Sequence, residues 1–513
     1  MKKAKTKILV PVSRRKRVAK RCMIASVILP PAIIAIMVLT VAFGIYAKNH
    51  DASVASYPVM RSPMRPDRLL VFAPHPDDET LGAAALMRQA RLNGCDVNLV
   101  VCTNGDGFRV GVARSFHLLR VGASDFKRYG YMRQGETRTA MSILGVQPSH
   151  ITFLGYPDRG LMPMWTTNWS PTHPFKSPFT QSDHCPYTDS PDPHAPYCGA
   201  AILSDIKNQI VMDRPTDVFV THPSDDHPDH AAASVFVKTA LDELRESGIP
   251  WAQHIRLHYY IVHRGDWPIP QGLSEDTALP APEQMANLDT RWEQLPLSTR
   301  DRQRKYAAIQ RYTSQVAVTA RFMYSFDRKN ELFGMMNPTT ANSIPRVPNG
   351  AVLLDRLHSH WPSMPPFIMD PVGDSVPRAF QQGGDVKAVY ACQDDDAFYV
   401  RAEMRSSLES QIAYNLIVRT VPMFGAPPHA VSVTTRPGIQ FAVQKAPGTP
   451  GVTYSWHGKY MDFMIPRALV IGPVHGFDAL YLQASTRIAG MTLDKTGFRG
   501  APLSGLLEAS AKR

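Results

Sequence analysis

The amino-acid sequence predicts an α/β chain: a mainly parallel sheet with helices on both faces, followed by an antiparallel β-sandwich, with one transmembrane helix at the N-terminus. Three observations predict it. Between residues 67 and 345, buried-strand runs alternate with runs of helical spacing, the pattern of parallel strands joined by crossover helices. From 346 to 513, short strand-like runs are parted by Gly and Pro, as in a sandwich. Residues 22–47 hold no charge at all. A length of 513 residues exceeds what one hydrophobic core sustains. With 44% hydrophobic and 19% charged residues, disorder, coiled coil and collagen are excluded as the main state.

Residues 1–21 carry ten Lys and Arg and no acid, so of the formal +12 only +2 belongs to the rest of the chain. That near-neutral body argues against a nucleic-acid binder. The 26 uncharged residues Cys22–Ala47 outrun the roughly 30 Å hydrocarbon core at about 1.5 Å per residue. They read as an uncleaved anchor, the alternative being a long signal peptide cut near Ala55. The basic block then stays in the cytoplasm and everything after Lys48 lies outside, at the periplasmic side of a bacterial inner membrane. Residues 48–66, with Pro58, Pro63 and Pro66, form a linker.

RLLVFAP (68–74) is a first strand, ETLGAAALMRQARLNG a helix closed by Gly94, and DVNLVVCTNGDG a second strand stopped by a Gly-rich turn. Gln134–Leu144 reads as a helix ended by Gly145, ITFLGYPD as a strand, AAILSDIKNQIVMD as a helix and DVFVTHP as a fourth strand. Residues 160–200 interrupt this alternation with Trp165, Trp169, many Pro, and His173, His184 and His194. The stretch reads as a lid or binding loop, or else as a disordered insertion. Within it Cys185 and Cys198 bracket a strand-free segment and are the one candidate disulfide. RLHYYIVH adds a strand, and residues 302–326 read as one long helix. After Pro345 the runs DVKAVYAC, AFYVRAEM, IAYNLIVRTV, AVSVTT, IQFAVQ, YMDFMI and ALYLQAS supply the sandwich.

Two segments concentrate metal-binding groups. His75-Pro76-Asp77-Asp78-Glu79 sits where the first strand gives way to its helix, and Thr221-His222-Pro223-Ser224-Asp225-Asp226-His227-Pro228-Asp229-His230 follows DVFV. Sites in open α/β sheets form outside the carboxyl ends of strands, so both segments face one edge. Together they can supply three protein ligands and an open water position, and imidazole with carboxylate suits zinc or iron better than magnesium. Either segment alone also suits a helix N-terminus, where Asp is a favoured cap.

This pair of motifs resembles the PIG-L/LmbE-like deacetylases, zinc enzymes that remove acetyl from N-acetylglucosamine units of small glycosides or glycolipids. TNGDG, RQGETRTAMSILGV and FLGYPD are similar as well, and the resemblance covers about residues 66–335. It implies a Rossmann-like domain over 67–345 in which His75, Asp78 and His230 hold Zn2+, or another transition ion such as Fe2+. It further implies Asp77 as general base, and His227 facing the acyl oxygen with Asp229 holding its ring. Arg133 and Glu136 match a polar pair in the family's helix and, with His222, are the substrate-binding candidates. His222, Asp225 and Asp226 stand either behind the ligands or in a solvated turn. Gly82-Ala83-Ala84 departs mildly from the family's glycine-rich pattern, and the 160–200 insertion departs more. Residues 346–513, through DPVGDS and GGDV, resemble family 9 carbohydrate-binding-module-like sandwiches. There Trp361, Tyr454, Trp456 and Tyr460 either stack on sugars or fill the core, and Asp370, Asp374 and Asp385 are a candidate calcium set.

The resemblance and the anchor together imply a membrane-anchored, zinc-dependent N-deacetylase acting on an N-acetylated amino sugar in a glycan or glycolipid. A zinc amidase for a non-sugar amide and a non-catalytic glycan-binding protein remain the alternatives. Every nameable catalytic position is filled, which counts against the second.

Overall fold

The apolar runs between residues 68 and 260 become parallel neighbours in the computed structural model, which describes residues 57–285, 288–336, 343–354, 361–373, 381–422, 429–437, 444–445, 448–470 and 478–502. Strands β1 (Arg68–Ala73), β2 (Asp96–Thr103), β3 (Ile151–Tyr156), β4 (Asp217–Thr221) and β5 (Arg256–Tyr260) pair in parallel in the order β3-β2-β1-β4-β5. Two antiparallel strands that the sequence reading lacked, β6 (Thr290–Pro296) and β7 (Asn330–Met336), extend the sheet beyond β5. Strand order reverses between β1 and β4, so the crevice outside their carboxyl ends is where a ligand site is expected. Both candidate motifs start there.

Helix α1 (Asp78–Leu92) follows β1 and is broken at Ala83, whose φ/ψ of −141°/19° is not helical. The break is sustained by a buried ion pair. Glu331 accepts from the amides of Ala85 and Leu86 at 2.8 and 2.9 Å, while Lys305 Nζ donates to Leu81 O and to Glu331 at 2.7 and 2.8 Å. These bonds satisfy the backbone groups that the kink frees. Gly82 is required beside it, because a Cβ there would lie 2.2 Å from the Tyr260 ring.

Helices α2 (Arg109–Ser115), α3 (Ala123–Leu144), α4 (Leu161–Thr166), α5 (Gly199–Asp213) and α6 (Pro228–Glu246) complete the crossovers. The expected single helix over 302–326 is two, α7 (Thr299–Ile309) and α8 (Thr313–Tyr324). The reason lies between them: Tyr312 is fully buried with its hydroxyl on Glu79, and Glu136 accepts from Ser314 N at 2.8 Å and Thr313 Oγ1 at 2.7 Å, which starts a new helix.

Residues 160–200 are packed, not a loose insertion. Trp165, Tyr187 and Tyr197 are fully buried in the core beneath β1–β4. His173, His184 and His194 are solvent-exposed. Cys185 and Cys198 are free thiols, contrary to the candidate bridge. Backbone bonds from Cys185 N to Ala195 O (2.9 Å) and Tyr197 N to Asp183 O (2.9 Å) close the segment instead.

Residues 368–502 form two antiparallel sheets: a six-stranded one running from Ile368–Met369 to Thr453–His457 and Gln444–Lys445, and a five-stranded one centred on Ala413–Pro422 and Asp478–Ile488. Their facing sides share one core, and Tyr454 and Trp456 lie in it, 3% and 7% exposed. These two aromatics are therefore core residues, not a sugar platform. Trp361 and Tyr460 flank the Arg401 guanidinium at 4.7 Å each, so an arginine occupies the ring faces between them. Of the candidate calcium acids, Asp374 lies outside the described residues and Asp385 accepts from Gly373 N at 2.8 Å.

The sandwich also packs on the α/β core. Tyr481 and Phe498 contact Trp165 at ring distances of 4.9 and 6.1 Å. Arg419, 2% exposed, lies over Trp165 and Trp169 and donates to Thr166 O at 2.9 Å. A Cβ on Gly497 would stand 2.8 Å from Pro223 O, so the sandwich backbone lies directly behind the second motif. The anticipated anchor, residues 22–47, and the basic tail lie outside the described residues. Among the described residues no helix is long and apolar enough to cross a membrane.

Candidate active site

β1 ends in the HPDDE turn, where Asp77 adopts φ 121°, a left-handed conformation rare for any residue but glycine. The strain turns neighbouring carboxylates in different directions. Asp78 faces inward: its Oδ2 accepts from His75 N at 2.9 Å and lies 3.1 Å from His75 Nδ1 and 3.0 Å from His230 Nε2. His75 Nδ1 and His230 Nε2 are 3.2 Å apart. Three donor atoms thus form a triangle with edges of 3.0–3.2 Å. Zinc bonded tetrahedrally at about 2.0–2.1 Å sets its ligand atoms about 3.3 Å apart, so the set fits such an ion.

The far side of each imidazole supports the same reading. His75 Nε2 lies 3.3 Å from Asp229 Oδ2 and 3.5 Å from Asp158 Oδ1, and His230 Nδ1 lies 3.2 Å from Asp225 Oδ2, at an angle short of a full hydrogen bond. A carboxylate behind a histidine fixes the proton on that nitrogen and leaves the opposite lone pair for a metal. Asp225 is a hub: Oδ2 also accepts from Val262 N and His263 N, each at 3.0 Å, and Oδ1 from His227 N at 3.0 Å. Burial opposes its ionisation, yet His230 holds Asp225 well below the usual carboxylate range. Burial likewise pulls His230 down, but Asp225 and Asp78 on either side raise it to about 9.

Asp77 Oδ2 meets Arg133 Nη2 at 3.0 Å. Burial, reinforced by Asp78 and Glu79, pushes Asp77 up to about 8 against the pull of Arg133. Arg133 also donates to Pro76 O and, at 2.9 Å, to Gly105 O. It crosses so close that a Cβ on Gly105 would stand 1.7 Å from Nη1. His227 caps α6, its Nδ1 accepting from Asp229 N at 3.3 Å. That bond places the ring proton on Nε2. Burial, with His75 and His230 nearby, lowers His227 to about 2 and keeps it a neutral donor.

Several expected placements change. Asp229 holds the His227 ring through its backbone amide only. Its carboxylate accepts from Arg159 N (2.6 Å) and Leu161 N (3.0 Å) and faces His75, because it projects from the first turn of α6 toward the loop after β3. Glu136 turns away from Arg133 to cap α8. His222 is buried behind the loop, bonded to Thr290 Oγ1 at 2.9 Å and stacked on Trp292, and does not line the cavity over the motifs. Asp226 points outward to Arg264 and Gly265 N.

The sequence reading missed Asp158 and His263, which follow β3 and β5. His263 stacks on Phe322 with rings 5.2 Å apart and 5° from parallel, and lies 4.9 Å from the His230 ring. With Asp78 and His230 it forms a further trio of donor atoms within 4.8 Å of one another. The signal was available, since both residues stand just past a strand on the edge that carries the motifs. A cavity of about 270 Å³ opens over this centre, walled by His75, Asp77 and His227 below and Phe108, Arg159 and Phe322 above. A cavity of about 250 Å³ at the opposite end of the strands involves Arg61, Arg256 and Arg291, each paired with an acid.

Comparison with known proteins adds the following. The family model described as "PIG-L: GlcNAc-PI de-N-acetylase" matches residues 70–241. A 1D-myo-inositol 2-acetamido-2-deoxy-alpha-D-glucopyranoside deacetylase of Geodermatophilus obscurus is 27% identical over 277 residues, 50% of this chain and 85% of that protein. The protein of the same description from Thermobifida fusca is 29% identical over 192 residues, 36% of this chain and 58% of its own. Among solved structures, the N,N'-diacetylchitobiose deacetylase from Pyrococcus horikoshii matches at 15% identity and TM-score 0.33, covering 53% of this chain and 84% of that one.

Proposed function

We propose, from the premise that residues 70–241 form a PIG-L family domain and hence an acetamide hydrolase, that this chain removes acetyl from an N-acetylated amino sugar in a glycan or glycolipid. The observation that carries the reading is the triangle of His75, Asp78 and His230 donors beside Asp77 and His227 in one cavity. A divalent ion held by these three residues, zinc by its donor set, would acidify a water and polarise the acyl oxygen. Asp77 accepts a proton from the attacking water as the water oxygen bonds to the acyl carbon. His227 donates from Nε2 to the acyl oxygen while negative charge builds on it. Asp77 then returns the proton to the sugar nitrogen as the C–N bond breaks, giving a free amine and acetic acid, which ionises to acetate by passing its remaining proton to the amine or to solvent. Arg133 orients Asp77, and Asp229 with Asp158 orients His75.

The same reading places residues 1–21 in the cytoplasm, residues 22–47 in the membrane and the catalytic domain outside, on the charge asymmetry of the sequence. The test is acetate release by the full chain in detergent from N-acetylglucosamine glycosides and glycolipids, before and after chelation. Release that chelation abolishes and zinc restores is expected. Release unaffected by chelation, or none from any acetylated amino sugar, overturns the proposal.

A further inference from the structure

Gly107 and Phe108 line the candidate active-site cavity, and the chain that leaves them carries charge that no acid answers. Residues 109–128, spanning α2, a loop and the start of α3, hold Arg109, Arg114, Arg120, Lys127 and Arg128 against one acid, Asp125. Asp125 is spent on its own helix, accepting from Gly122 N at 2.9 Å. Among the described residues none of the five cations forms an ion pair. Two are held down by aromatic rings, Arg109 over Phe126 at 5.4 Å and Arg128 over Phe116 at 4.1 Å, which fixes charge on the surface instead of on waving side chains.

Apolar side chains are exposed on the same segment and on the helix packed against it. Leu119, at the loop tip between Arg114 and Arg120, is 104% exposed, and Val110 is 58% exposed. Val318, 37% exposed, stands one residue from Thr319 of the cavity wall on α8, the helix that α2 packs against. One bare leucine means nothing alone. A bare leucine between unanswered Arg114 and Arg120, on the segment that leaves the cavity wall at Phe108, combines the two attractions of a bilayer interface, apolar insertion and cation-to-headgroup contact.

We propose that this segment seats on the anionic headgroup surface of a lipid bilayer, with Leu119 in the interface and the five cations against lipid phosphates, so that the cavity mouth meets the membrane. The uncharged run of residues 22–47 supplies an independent sequence argument for a bilayer nearby. The inference does not depend on the deacetylase reading, because its test measures insertion and needs no turnover.

The full chain, with Cys22→Ser, is reconstituted in nanodiscs carrying an environment-sensitive fluorophore at Leu119→Cys. The other cysteines in the chain are buried. A matched label at Met491→Cys, 66% exposed on the sandwich, is the control. In discs containing phosphatidylglycerol the 119 label should shift to the blue and be quenched by headgroup-labelled lipid, and the 491 label should not. With Arg114→Glu/Arg120→Glu the fraction inserted should fall by at least about 30-fold, at about fivefold per cation lost in low salt, and in phosphatidylcholine discs, where all five cations lose their partners, by more. No shift at 119, an equal shift at 491, or a shift indifferent to charge reversal overturns the proposal. So does the same shift produced by a soluble anionic polysaccharide in detergent without any bilayer, which would assign the segment to a glycan.

Discussion

Replacing Asp225 by Asn tests how the centre is built, because the carboxylate is fully buried and one atom changes. Oδ2 takes two backbone amides at 3.0 Å and faces His230 Nδ1 at 3.2 Å, while Oδ1 takes His227 N at 3.0 Å. An amide offers one acceptor oxygen. In its better orientation that oxygen keeps Val262 N and His263 N, and the NH2 confronts His227 N–H, so one bond to a charged acceptor is lost at about 1.5–3 kcal/mol. The other orientation loses two. Removing the negative charge behind His230 also weakens its lone pair as a ligand, and changes of this kind cost about 10- to 100-fold in metal affinity. Competition against a chelating dye should therefore show a 10- to 100-fold weaker zinc Kd, together with a lowered thermal midpoint. Activity should return at excess zinc, since mass action offsets a binding defect. A folded Asp225→Asn protein that binds zinc within twofold of its parent would refute the argument.

Three further outcomes are expected. Asp77→Asn should keep its zinc and lose turnover by about 100- to 10,000-fold, whereas Asp78→Asn should lose zinc and recover in part when it is added; metal analysis of the purified proteins separates them. Gly497→Ala, distant from the cavity, should push on Pro223 O, cost about 1–3 kcal/mol in chemical denaturation and weaken zinc binding through the second motif. In Asp217, burial opposes ionisation, yet bonds from His258 (2.9 Å) and Arg256 (2.7 Å) hold its pKa well below the ordinary value. A depressed folded pKa stabilises above the unfolded value of about 4 and ceases to do so as pH falls toward the folded one. Melting curves should thus show Asp217→Asn less stable than the parent at pH 7 by about 1–3 kcal/mol, with the gap closing below about pH 4.

The sequence revealed what is written locally. The first β-α-β unit, both motifs and the longer sandwich strands each occupy a short window, so periodicity and turn residues expose them, whereas the strands Ile368–Met369, Thr453–His457, Met491–Lys495 and Arg499–Pro502 went unread and most of the run IQFAVQ lies outside the described residues. Asp158 and His263 each close a run that reads as a strand, a local signal that was available, but only the strand order shows that the loops after β3 and β5 reach the same crevice. The buried state of Tyr454 and Trp456 was equally hidden, since an aromatic on a strand reads the same from either face. The split between α7 and α8 depends on Glu79 and Glu136, which lie more than 170 residues away in the chain. Asp229 shows the limit of motif reading, for its position was legible but its carboxylate direction came from Arg159 and Leu161 amides.

The contact of Gly497 with the back of Pro223 has a consequence in time. During synthesis the second motif leaves the ribosome about 270 residues before its support does, an interval of roughly 14–55 s at about 5–20 residues per second. Through that interval the loop bearing His227 and His230 has β4 and α6 to fold against but no wall behind it, and Trp165 waits uncovered for Tyr481 and Phe498. Metal met early would be held by an unfinished loop, and a chain truncated at the α/β half would never leave that state. The order of emergence therefore makes the C-terminal sheets the final step in completing a centre to which they contribute no ligand.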